Sequence, residues 1–459
     1  MPSRRSPRRS SVSAPFVKEP PVRTSEIPII DDLPVEAERP VDRSTEHPAE
    51  RSRSRGGMLL LAAGLILIGL NLRIGVASIG PVLGEIRDAL GLSTTAAGLL
   101  TTIPVFAFGA FAFLTPGLTR RLGMHRLLGI TMIVLAAGIL LRLHPSLVGL
   151  FVGTVLVGAA IAVGNVLMPP AIKQDFSHRA GLMMGLYSTA LFVGAAAASG
   201  LTVPLLPLVG GGWRAALAVW AAPAILAAVI WIPQMRRSPG RSRAGAGVAD
   251  APSEAGEPPF RAILGDPIAI AVTALMGLQS AAYYTSLTWV PTILQDAGIA
   301  AGTAGWLFAF SAFPGILASF VVPALAKRIR PLWLPVAVAV ALMAVAYIGL
   351  AVAPAAAPYL WMTLLGLGQG ASISLSLAYI VLRSPDAHHT GHLSTMAQGF
   401  GYLIAGLAPI GFGAVHALSG EWTLPLAALG LLLVLQLVAG VVASRPGHIR
   451  ARIPGRAAR

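Results

Sequence analysis

The chain has 459 residues, of which 55% are hydrophobic and 12% charged, with a net charge of +15 and no cysteine. Soluble domains carry about 25% charged residues, so a soluble globule is excluded; so are a disulfide scaffold and, because the 50 glycines keep no triplet period, a collagen. Nor does the charge point to nucleic acid: beyond residue 55 the 23 basic residues sit in short clusters between apolar runs, a membrane-topology pattern.

Residues 1–55 hold 11 Lys/Arg and 9 Asp/Glu with few aromatics, a composition that buries too little apolar surface to offset its ordering entropy. They are predicted to form a disordered tail. No short apolar stretch ending in a small-residue cleavage site precedes Arg55, so a secretory signal is not expected.

A bilayer core takes about 20 apolar residues per helix. That length picks out twelve spans at 58–83, 95–115, 126–143, 148–170, 181–206, 213–233, 266–290, 301–325, 332–353, 358–382, 392–416 and 422–443. An even number puts both termini on one side. With the N-terminus inside, the inner loops and tails hold 22 Lys/Arg and the outer loops hold 3, namely Arg87, Arg142 and Arg214. The positive-inside rule then places both ends in the cytoplasm.

The polar stretch 234–262 divides the spans six and six, and its Gly/Ser/Pro composition reads as a flexible linker. The expected organisation is a cytoplasmic tail (1–55), a six-helix bundle (56–233), a cytoplasmic linker (234–262), a second six-helix bundle (263–444) and a basic tail (445–459). The halves also repeat. STTAAGLL before Thr101 aligns with GTAGWLFAF before Ser311 at an offset of 207, TRRLG (119–123) falls on AKRIR (326–330), and Gly158 matches Gly366 one position away. This is the pattern of a parallel internal repeat.

Inside the spans, Arg73 is the sharpest feature. It lies about 15 residues into span 1, roughly 22 Å along a helix, too deep for its side chain to reach water completely. Burying a guanidinium there costs several kcal/mol unless a partner, a wet cavity or an anionic ligand compensates. No Asp or Glu lies mid-span, so a substrate anion can be the counter-charge; hydrogen bonding to broken-helix carbonyls is the structural alternative. Asn71 is about 200° from Arg73 on a helix and cannot share its face.

Other polar groups recur at helical spacing: Gln279, Tyr283 and Ser286 on span 7, Gln398 and Tyr402 on span 11, and Asn165 and Lys173 on span 4 if the helix runs through Pro169 and Pro170. Amides and phenols can orient a small solute, or merely tie helices together. Lys173 lies near the cytoplasmic end beside Asp175 and reads as a surface or gating ion pair. His388, His389 and His392 resemble a metal cluster on paper but lack Cys or a companion acid cluster, so no metal is assigned. There is no G-x-x-x-x-G-K-[ST], so no ATP-driven motor is expected.

Two bundles joined by a cytoplasmic linker resemble the major facilitator superfamily, whose loop signature after span 2 can be compared with PGLTRRLGMHR (116–126). Arg121, Gly123 and Arg126 match it, whereas Pro116 replaces the first Gly and Arg120 replaces the acid. NLR (71–73) with Pro81, GNVLMPPAIKQDF (164–176), GLYS (185–188), GWRAAL (212–217), GLQSAAYY (277–284) with WVPTIL (289–294), and MAQGFGYL (396–403) resemble one branch, the cyanate and nitroimidazole (CynX/NimT-type) transporters. The resemblance implies an all-α integral membrane protein of the major facilitator fold, with twelve transmembrane helices in two pseudo-repeated six-helix bundles. It implies a secondary transporter without covalent chemistry or cofactor, working as a single chain in the plasma membrane on a small anion or compact nitro-heterocycle. Spans 1, 4, 7 and 10 would line the cavity, with 5, 8 and 11 beside them.

The candidate substrate residues are thus Arg73, Asn71, Asn165, Tyr187, Gln279, Tyr283, Gln398 and Tyr402. The candidate gating residues are Arg121, Gly123, Arg126, Lys173, Asp175 and Arg328. Three rival functions are a multidrug or metabolite exporter of the same fold, a membrane-embedded enzyme and a sensor. An exporter of bulky cations would want intramembrane acids. An enzyme would want clustered acids or histidines with metal-ligand spacing.

Overall fold

The computed structural model describes residues 55–237, 263–326, 329 and 331–449. The tail before Arg55, most of the expected linker, Arg328 and the last ten residues lie outside the described residues.

Every regular element among them is helical, because a chain in hydrocarbon must satisfy its backbone internally. The first half comprises α1 (Arg55–Ala77), a 3-10 turn at Gly80–Val82, α2 (Leu83–Leu90), α3 (Thr94–Ala112), α4 (Thr115–Leu122), α5 (Met124–Leu141), α6 (Leu147–Asp175), α7 (Ala180–Leu205), α8 (Trp213–Val219) and α9 (Ala221–Arg237). The second comprises α10 (Pro267–Asp296), α11 (Ala301–Phe310), α12 (Ala312–Ala326), α13 (Leu334–Val352), α14 (Pro358–Leu382), α15 (Ala387–Ser419) and α16 (Thr423–Ala443). Among the described residues, eleven helical stretches are long and apolar enough to cross a membrane, and the bent pair α3/α4 makes a twelfth.

Prolines explain where spans break. Pro116 has no N–H for the Ala112 carbonyl, so α3 stops there and α4 leaves at 59°. Pro314 likewise cannot bond the Phe310 carbonyl, and the expected span 301–325 is two helices meeting at Ser311. By contrast α6 runs unbroken through Pro169 and Pro170, so Asn165 and Lys173 do share one face. Side-chain caps start several helices: Ser146 accepts from the Gly149 N–H, and Asp266 from the N–H groups of Ile268 and Ala269.

Helix pairing shows the repeat. In the first half α1 packs on α7 and α9, α3 on α6, and α5 on α6 and α9. In the second, α10 packs on α15 and α16, α12 on α14, and α13 on α14 and α16, so each pair returns six spans later. Gly158 lets α6 approach Pro104 and Ala107 on α3, and Gly366 lets α14 approach Ser311 and Pro314 where α12 begins. The two matched glycines do the same packing job. Between halves, α3 and α6 meet α15, while α7 meets α12 and α14.

One expected outer-loop residue is elsewhere. Arg142, at the end of α5, is only 1% exposed: its Nη1 donates to the Gly75 carbonyl of α1 and its Nε to Thr154 Oγ1 of α6 at 3.2 Å. The short loop after α5 folds back, so this arginine is a packing group rather than a topology charge.

Candidate solute-binding site

The site begins with how α1 is held. Gly194 of α7 brings that helix onto the Leu70 carbonyl, leaving no room for a Cβ, and Gly69 of α1 lies under the Tyr187 ring. These contacts fix the turn that carries Arg73 and aim it at α10. Its Nη1 donates to the Tyr284 hydroxyl at 2.8 Å, its guanidinium carbon stands 5.9 Å from the centre of the Tyr283 ring, and Tyr402 faces it with its hydroxyl. The arginine is half-buried. Phenol oxygens offer lone pairs but no full charge, so the guanidinium's positive charge is not neutralised here.

Beside it lies a small cavity between the halves. Arg73 with Leu191, Phe192 and Ala195 of α7 forms one wall, and Gln279, Ser280, Tyr283 and Tyr284 of α10 with Gln369 and Ile373 of α14 form the other. Among the described residues no carboxylate lines it. Few polar groups on aromatic and aliphatic walls are the usual make-up of a small-molecule site.

The remaining candidates form a second polar group, continuous with the first. Tyr187 donates to Asn165 Oδ1 at 2.9 Å, Gln398 Nε2 donates to the Asn165 carbonyl at 2.8 Å, and Ser394 donates to the Val166 carbonyl at 2.9 Å. This ladder crosses from α6 to α15 and runs toward the side where Arg120, Lys173, Arg179 and Arg383 lie, called here the basic side. Tyr402, edge-to-face on Phe108 at 5.3 Å, joins it to Arg73. Asn71 is not part of either group. It is fully buried on the opposite face of α1, where its Nδ2 donates to the Leu67 carbonyl and, at 3.1 Å, to the Pro223 carbonyl of α9. Ser286 turns to the Tyr347 hydroxyl at 2.8 Å.

On the basic side, Lys173 Nζ reaches the second half and donates to the Val381 and Ser384 carbonyls, both at 3.2 Å, capping the C-terminus of α14. Asp175 lies 3.5 Å from His125. The expected Lys173–Asp175 pairing therefore takes another form, in which the lysine bridges halves. Arg121 and Arg126 are exposed at either side of Gly123, which adopts φ +79° where α4 ends and α5 begins. Asp386 caps α15 through the His389 N–H, and the His389 ring at 2.7 Å holds its carboxyl down to about 2. Among the described residues no group of three His, Cys, Asp or Glu could hold a metal.

Besides the aliphatic Leu191, Ala195 and Ile373, four polar or aromatic lining residues escaped the sequence reading: Phe192, Ser280, Tyr284 and Gln369. The choice of one narrow face, 279/283, excluded its neighbour 280/284, although a helix beside a cavity exposes two adjacent faces. The polar pairs at i, i+1, i+4, i+5 were the signal. Gln369 was hidden in GLGQGAS, whose glycines read as packing.

The Major Facilitator Superfamily family model matches residues 61–409. The chain is 36% identical to the 2-nitroimidazole transporter of Escherichia coli (strain K12) over 87% of its own length and 99% of that protein's. It is 31% identical to the cyanate transport protein CynX of the same organism, over 78% of this chain and 90% of that one. It is 38% identical to the transporter YycB of Bacillus subtilis (strain 168) over 85% and 94%. Among solved structures, the proton:xylose symporter XylE bound to 6-bromo-6-deoxy-D-glucose superposes with a TM-score of 0.63 at 14% identity, covering 84% of this chain and 94% of that one.

Proposed function

The chain belongs to the major facilitator superfamily and is a membrane transporter of small solutes, not an enzyme, and we propose that its cargo carries an anionic or nitro-oxygen end that docks on Arg73. That class covers small anions such as cyanate and compact nitro-heterocycles. The observation that carries the reading is the guanidinium itself: it borders a cavity, faces tyrosines and, among the described residues, has no lining carboxylate to neutralise it. A planar fork of N–H donors matches paired oxygens on a solute, and such charge-assisted bonds are about twice as strong as neutral ones.

In this reading Gln279 and Tyr283 orient the solute, and halves rocking about the cavity carry it across. Tyr402, Tyr187, Asn165 and Gln398 mark its route toward the basic side, while Asn71 serves packing. Lys173 latches that side, with Arg121, Gly123 and Arg126 in the adjoining loop. The carrier acts as a single chain without ATP, in the plasma membrane with both termini cytoplasmic; the concentration of basic residues in the inner loops and tails, 22 against Arg87 and Arg214 outside, supports that orientation.

The test is uptake of labelled cyanate and of 2-nitroimidazole into proteoliposomes, wild type beside Arg73→Ala. Saturable wild-type uptake of at least one probe is expected, falling roughly tenfold to a hundredfold in the variant. Uptake of the neutral heterocycle by both proteins with cyanate ignored would make Arg73 structural and defeat the proposal.

A further inference from the structure

We infer that the Tyr284 hydroxyl is a placeholder for cargo: it holds the Arg73 guanidinium while the carrier is empty, gives way when a solute docks, and so governs how fast the unloaded carrier returns. The inference rests on the role given to Arg73 above and adds a residue to it.

The first argument is what holds each buried arginine. Arg142 and Arg383 are 1% and 6% exposed, and both are tied to main-chain carbonyls of their own half: Gly75 for the first, Ala443 and Ser444 for the second. A helix carbonyl is fixed by the backbone, so such a bond lasts as long as the fold does. Arg73 is held differently. Its Nη1 donates to a phenol, and that phenol comes from the other half, 211 residues along the chain. A phenol oxygen sits at the end of a rotatable side chain, so it can move aside without disturbing the backbone.

The second argument is where the bond lies. Tyr284 is 6% exposed and lines the same cavity as Arg73. Helix α1 packs on α7 and α9, and α10 on α15 and α16, with little contact between α1 and α10 themselves. The bond is therefore no by-product of helix packing. It joins two helices that move against each other when the halves rock. The Tyr402 hydroxyl, which also faces the guanidinium, comes from the second half too.

The third argument is chemical. A guanidinium has five N–H donors and no acceptor, and leaving a charged donor bare inside a membrane costs more than leaving a neutral one bare. A solute oxygen that reaches the arginine from the cavity competes with Tyr284 for Nη1. Competition lowers the apparent affinity for cargo, because only the fraction of carriers with the hydroxyl displaced can bind. In exchange, the arginine of an empty carrier keeps an acceptor.

The experiment measures net uptake and one-for-one exchange in proteoliposomes of wild type, Tyr284→Phe and Arg73→Ala. The probe is labelled cyanate or 2-nitroimidazole, whichever the wild type carries. Phenylalanine keeps the ring and removes only the hydroxyl. Exchange never requires an empty return, so Tyr284→Phe should keep its maximal exchange rate within about twofold. Its half-saturation concentration should drop roughly threefold to tenfold, as loss of one competing hydrogen bond provides. Net uptake does require the empty return and should fall about tenfold. Equal falls in both rates, a raised half-saturation concentration or two unchanged rates overturn the inference. A collapsed thermal midpoint makes Tyr284 structural and overturns it too. Exchange that survives Arg73→Ala, or a wild type that carries neither probe, removes the underlying reading instead.

Discussion

Arg73 and Arg142 both sit in apolar surroundings of the first half, and their partners separate their roles. Arg73 has a phenol and a cavity; Arg142 has the Gly75 carbonyl two residues further along α1 and a threonine on α6. Arg142 thus pins the C-terminal end of the helix that presents Arg73. Removing it strands a buried carbonyl, which costs about 1–3 kcal/mol. Arg142→Ala is expected to lower the thermal midpoint in detergent while probe affinities stay within about twofold, and Arg73→Ala should do the reverse. The sequence exposed Arg73 because it interrupts an apolar run. It could not expose Arg142, which falls at the very end of its span and looks like any loop arginine. What buries it is Gly153 on another helix, whose missing side chain makes room for the arginine stem.

Helices were legible because the bilayer imposes a length and an internal hydrogen-bond rule on every crossing. Breaks within them were less so. Helices break at Pro116 and Pro314 but run on through Pro169 and Pro170, so the residue type alone does not announce a break. The close contacts of α14 were legible only as a glycine-rich run. Their geometry gives a sharp contrast between two substitutions. Gly370→Ala puts a methyl into the Gly315 carbonyl, whereas Gly430→Ala on α16 meets nothing within 4 Å. The first should cost roughly 1–3 kcal/mol of stability and the second close to none, read by thermal unfolding of the two variants side by side.

At the scale of the whole molecule, the bonds that join the halves gather toward the basic side of Arg73: Lys173 to α14, Ser394 and Gln398 to α6, and Thr189 facing Ser319 at 3.3 Å. Opening that side must break them, and all are neutral contacts except the two lysine-to-carbonyl bonds of Lys173, so each can be remade. The internal repeat announced such a two-part body, yet pairs such as Gln398 with Asn165 join residues 233 apart in the chain and no local pattern predicts them. That no carboxylate among the described residues lines the cavity beside Arg73 has an electrical consequence. With an anion aboard the centre of the carrier is neutral, but the empty carrier returns with an uncompensated positive charge. A membrane potential acts on that return at up to about 2.3 kcal/mol per charge per 100 mV, and leaves the loaded crossing almost untouched. Net anion uptake into proteoliposomes should therefore change with an imposed potassium diffusion potential, while one-for-one exchange of labelled for unlabelled anion should not.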